Sequence, residues 1–129
     1  MYNISGSIND YPNLTGVIFG GTSASISNCP KLKYVALVGN ISTITSDMVI
    51  ETLIVTYGTL DISNIQINSL TVSEDVTING ISNNTQLVYY VPNSKGTIPT
   101  GYTSLKYYWI PTTATTINSL AFMGCSALY

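Results

Sequence analysis

Apolar residues at offsets 0, 3 and 5, restarting at a nearly constant interval, restrict this chain more than any other feature. The pattern appears as Leu14/Val17/Phe19, Leu32/Val35/Leu37, Ile50/Leu53/Val55 and Ile67/Leu70/Val72. It recurs, weakened, as Asn84/Leu87/Tyr89, and again as Leu105/Tyr108/Ile110, and Leu128 opens one further start. The first four starts are evenly spaced, and the steps lengthen after Asn84. A second column keeps the same phase, with Ile26, Ile44, Ile62, Ile78, Ile98 and Ile117 at offsets 11 to 14 from their starts. Offsets 3 and 5 share the strand period of two, so both side chains point to one face. Fixed-period self-similarity of this length is the mark of a stacked array, in which each unit buries its apolar face only against its neighbours.

These spacings predict an all-β-rich solenoid. It is a right-handed coil stack of six to seven short repeats, each of roughly 17–23 residues, with a parallel sheet on one face. Residues 14–129 form the solenoid, and residues 1–13 precede it as a half-coil or cap. The isoleucine column supplies the wall facing the sheet. Ile117 to Met123 is expected to make a short helix or 3₁₀ turn, and Pro92 and Pro111 end strands because neither donates a ladder hydrogen bond. In the fifth coil Asn84 takes the place of the first ladder residue.

Composition narrows the function classes. Charged residues make up only 8% of the chain, with four Lys, no Arg and no His, and a net charge of −2. A basic footprint for nucleic acid is missing. Without His the usual general base, the His-based triads and the His zinc sites are absent. Glu74/Asp75 and Asp47/Glu51 are the local carboxylate pairs; solvated turns account for both, and a calcium site at Glu74/Asp75 is the residual option. No cofactor, metal site or catalytic residue is expected. No apolar run approaches the roughly 18 residues of a membrane span, so membrane insertion is not expected. The N-terminal MYNISGSINDYPN lacks the basic start and apolar core of a signal peptide. Cys29 and Cys125 each stand three residues before a repeat start, five coils apart in the stack. That separation exceeds the reach of a disulfide, so both are expected to be free thiols.

The last coil carries the most specific motif. Leu105, Ile110-Pro111, Ile117, Ala121-Phe122, Gly124-Cys125 and Leu128 resemble the BspA-like class of leucine-rich repeat, and Cys29-Pro-Lys-Leu32 matches its Cys-x-x-Leu junction. Residues 14–102 resemble that class by spacing alone, since their coils are shorter and lack the Ala-Phe element. The resemblance implies a surface or secreted protein active in adhesion or protein binding, and related repeats in phage proteins add a virion-associated setting. The expected location is extracellular or at a cell surface.

Two surfaces are candidates for binding. The outward strand positions are unusually apolar, and Tyr and Trp are favoured anchors in interfaces. They point to a patch of Val88, Tyr90, Tyr107 and Trp109, with Tyr34 and Ile54, for a protein partner or host-surface ligand. The alternative is structural. Neither end shows a polar cap, and Tyr2 and Ile4 meeting Ser126, Ala127, Leu128 and Tyr129 of the next copy would give a head-to-tail homo-oligomer or filament.

Overall fold

The computed structural model describes residues 8–20, 26–39, 49–81, 84, 86–93, 100–117 and 119–129. Among them lie ten strands: β1 (Ile8–Asn9), β2 (Gly16–Phe19), β3 (Ile26–Ser27), β4 (Tyr34–Leu37), β5 (Val49–Val55), β6 (Thr59–Asp61), β7 (Gln66–Val72), β8 (Thr77–Asn79), β9 (Tyr89–Val91) and β10 (Tyr107–Tyr108). Six of them form one sheet in the order β10-β9-β7-β5-β4-β2, and β1-β3 and β6-β8 form two small sheets. Every pairing is parallel. The chain is therefore an all-β solenoid, with about four turns between β2 and β9.

The repeat spacing becomes strand register. Val17, Val35, Leu53 and Leu70 are successive Cα partners, as are Phe19, Leu37, Val55 and Val72. Alternation then sorts the faces: in β4, Val35 and Leu37 are buried while Tyr34 is exposed and Ala36 is half-buried. Stacking like on like suits β-branched and leucine side chains, because each covers the next along the ladder. Ile26 and Leu60 of the small sheets join Leu53 and Leu70 in a single core. Ile8 faces Ile26 on the next coil, so β1 already follows the spacing of the stack.

A turn opens most rungs. The N–H groups of Leu14, Leu32, Leu87, Leu105 and Leu128 donate to the carbonyls of Tyr11, Cys29, Asn84, Tyr102 and Cys125 at 3.0–3.4 Å. Cys29 and Cys125 are buried free thiols in these turns, as the spacing required.

Three expectations need correction, and a fourth is narrowed. First, Leu70 pairs with Tyr90 and Tyr90 with Tyr108, so the fifth coil starts at Leu87 and not at Asn84. The slip of three residues is odd, which exchanges the two faces of the strand. Asn84 instead fills the buried junction turn, where its Nδ2 donates to the Ile62 carbonyl at 3.2 Å. Second, the isoleucines do not form one column: Ile78 partners Leu60, not Ile62, and Ile117 is exposed. The segments opposite the large sheet differ in length, so no constant offset places them. Ile44 and Ile98 lie outside the described residues.

Third, Ile110 is exposed rather than inward. The ladder toward β9 ends with the bond from Trp109 N–H to the Tyr90 carbonyl, one residue earlier. Last, of the two forms expected for Ile117 to Met123 the turn is the one present: residues 119–124 are turns, and the Met123 N–H donates to the Leu120 carbonyl at 3.2 Å. Phe122 (φ 62°) and Gly124 (φ 78°) have left-handed backbone, which stops helix propagation.

Candidate functional site

The outward face of the large sheet presents two columns. One runs Gly16, Tyr34, Thr52, Ser69, Tyr89 and Tyr107; the other begins Ile18, Ala36, Ile54, Thr71 and Val91. Trp109 follows β10 on the same side and is 61% exposed. The corrected register changes the candidate patch. Tyr90 points into the core and is 5% exposed, whereas Tyr89, which the spacing had placed inside, is outward. Burial pushes the Tyr90 phenol well above its ordinary pKa. Val88 is half-buried, and its N–H is bonded to the Asn68 carbonyl at 2.8 Å.

The remaining residues form two groups. Tyr89 and Tyr107 are ring neighbours at 6.1 Å between centroids, and Tyr107 continues to Tyr129 at 6.5 Å. With Trp109 they make an aromatic cluster at the β9–β10 end. Tyr34 and Ile54 stand on β4 and β5. Four strand steps of about 4.8 Å separate β4 from β10, or roughly 19 Å, and β7 fills the interval with half-buried Ser69 and Thr71. Tyr34 and Ile54 border a second feature, a cavity of about 730 Å³ also lined by Tyr11, Leu14, Val17 and Ile18.

Charge contributes little to either group. Lys33, just before β4, and Glu51 of β5 form an exposed ion pair at 3.0 Å beside Tyr34. The hydrogen bond from Lys33 holds the Glu51 carboxyl below its usual range. Glu51 is thus paired across strands with Lys33, and Asp47 lies outside the described residues. Glu74 and Asp75 are exposed on the turn after β7. That turn is capped from the next coil: Asn93, buried, donates its Nδ2 to the carbonyls of Ser73 and Val76 at 2.8 and 2.7 Å. Among the described residues no helix is long and apolar enough to cross a membrane.

The residues of the alternative surface are unevenly placed. Tyr2 and Ile4 lie outside the described residues. Leu128 packs against the core, Ala127 is half-buried, Ser126 is exposed and Tyr129 is 94% exposed. The Tyr129 N–H donates to the Lys106 carbonyl at 3.2 Å, so Tyr129 extends the ladder beyond β10.

Comparison with known proteins returned no match. No family model, no curated protein sequence and no solved structure matches this chain. The site is therefore read from its own geometry.

Sequence reasoning missed Tyr89, and a signal for it existed. A restart at Leu87 would have placed Leu87 and Tyr90 at offsets 0 and 3. It would also have made the step from Leu87 to Leu105 equal to the step from Leu14 to Leu32.

Proposed function

We propose that this chain is a non-enzymatic repeat scaffold that binds a protein partner or host-surface ligand through the outward face of its large sheet. The observation that carries the reading is the exposed cluster of Tyr89, Tyr107, Tyr129 and Trp109 on a backbone held by ladder hydrogen bonds. Large aromatic side chains lose few rotamers on binding and dominate interface energetics, and a rigid sheet adds little ordering cost. The finer assignment is a leucine-rich-repeat-like stack of six to seven right-handed coils of the BspA-like kind, located outside the cell or on its surface. Its support is the motif of the last coil together with the recurrent junction turn at Cys29 and Cys125.

The test is capture of host-surface proteins on the immobilised chain, with Trp109→Ala and Tyr107→Ala beside the wild type. Each substitution is expected to weaken capture at least about 30-fold, the equivalent of a 2 kcal/mol hot spot. Tyr34→Ala, on the other side of the polar gap, should leave it unchanged. Equal capture by all variants refutes the reading. Growth of filaments with protein concentration, with no captured ligand, would move the function to the head-to-tail alternative.

A further inference from the structure

We infer that Tyr107 is the centre of an oxidative cross-linking site, at which it couples with Tyr89 or Tyr129 to form an intrachain dityrosine that joins neighbouring rungs. Three observations converge. The ring centroids lie 6.1 Å apart for Tyr89–Tyr107 and 6.5 Å apart for Tyr107–Tyr129. All three rings are open to solvent, at 40, 54 and 94% exposure. Tyr89 and Tyr107 are also Cα partners in adjacent parallel strands, so the backbone keeps the rings together.

The chemistry is the coupling of two phenoxyl radicals. A one-electron oxidant, here a peroxidase with hydrogen peroxide, removes one electron and the phenolic proton from each tyrosine. The two radicals join through the ring carbons ortho to oxygen. The two hydrogens on those carbons return to the phenolic oxygens and restore both rings. Peroxide accepts the two electrons and two protons and becomes water. The product is lighter than the starting chain by two hydrogens. Coupling between neighbours competes with encounter between molecules through its effective concentration, which is set by the fold and not by dilution.

The molecule contains its own contrasts. Tyr90 and Tyr108 are closer still, at 5.6 Å, but Tyr90 is buried and an external oxidant does not reach it. Tyr11, Tyr34 and Tyr57 are 54–56% exposed and have no ring partner among the described residues. Exposure alone would cross-link them only between molecules.

The experiment treats the folded chain with peroxidase and hydrogen peroxide over a dilution series. It reads dityrosine fluorescence, intact mass and cross-linked peptides. The expected result is a monomeric product lighter by two hydrogens, in a yield independent of concentration, with the link mapped to Tyr107. Tyr107→Phe should abolish the intrachain product, because phenylalanine keeps the ring but has no phenolic hydrogen to lose. Tyr89→Phe and Tyr129→Phe should each retain a link to the remaining neighbour. The inference is overturned if Tyr107→Phe cross-links within the chain as the wild type does, or if all dityrosine appears in dimers whose yield falls on dilution.

Discussion

Asn93 tests whether the coils are held by specific polar contacts as well as by stacked aliphatic side chains. Its amide nitrogen reaches the carbonyls of Ser73, Val76 and, less closely, Glu74 at 2.8, 2.7 and 3.4 Å. The two short bonds contribute about 1 kcal/mol each. Asn93→Ala removes both and strands the carbonyl of buried Val76, which adds about 1 kcal/mol for an unsatisfied acceptor. The expected loss is about 3 kcal/mol, read as a lower urea midpoint by far-UV circular dichroism at an unchanged m-value. Asn93→Asp is the sharper variant. It keeps the shape but replaces the donor with a carboxylate that faces carbonyl oxygens, so it should cost about 3–5 kcal/mol at neutral pH. Burial among acceptors raises the folded-state pKa of that carboxyl above its unfolded value. The folded variant then binds the extra proton in the window between the two values. Its stability relative to wild type is therefore fullest below the unfolded pKa and is lost as pH rises through the folded one. Wild-type stability for Asn93→Asp at neutral pH, or a change below about 0.5 kcal/mol for Asn93→Ala, a typical surface effect, would refute the capping role.

Two left-handed glycines and the Tyr89/Tyr90 pair carry the remaining predictions. Gly80 has φ +79°, and an added Cβ would lie 2.6 Å from the Ser63 nitrogen, so Gly80→Ala should cost about 3 kcal/mol. Gly101, at φ +76° with open space around it, should cost only about 1–2 kcal/mol on the same change, measured by the same urea titration. Tyr90→Ala should destabilise by about 3–5 kcal/mol as an aromatic core truncation, while Tyr89→Ala, which loses a partly exposed ring and its pairing with Tyr107, should cost only about 1 kcal/mol. Because burial raises the Tyr90 pKa, the unfolded chain ionises first in alkali. The Tyr90 contribution is complete below pH 10, the ordinary tyrosine value. Above it, the contribution declines by about 1.4 kcal/mol per pH unit. A Tyr90→Phe chain with the same alkaline slope as wild type would contradict that assignment.

The residues that declared themselves in the sequence are those governed by a short, constant spacing. Val17, Val35, Leu53 and Leu70 form one ladder because each recurs one near-constant repeat length after the last. The junction cysteines were equally legible, since position relative to the next leucine determines the turn they occupy. The aromatic site was half legible. Tyr107 and Trp109 lie in a coil whose start is unambiguous, and both proved to be outward. Tyr89 and Tyr90 lie in a coil preceded by turn residues of unequal length, where two starts fit the apolar pattern and differ by an odd number.

The sequence alone determined that this chain folds as a stack of parallel strands, because β-branched and leucine residues at a repeated spacing bury themselves only against copies of themselves. It also determined a low-charge surface and free thiols, which follow from residue types and distance along the stack. The tertiary structure decided which of two adjacent tyrosines enters the core, since only ladder hydrogen bonds to β7 set the register of β9. It also divided the outward residues into an aromatic cluster and a separate apolar cavity, because sheet order and not sequence order measures their separation. Asn84 and Asn93 became buried caps for the same reason: their partners are carbonyls of the preceding coil, brought adjacent by one turn of the solenoid.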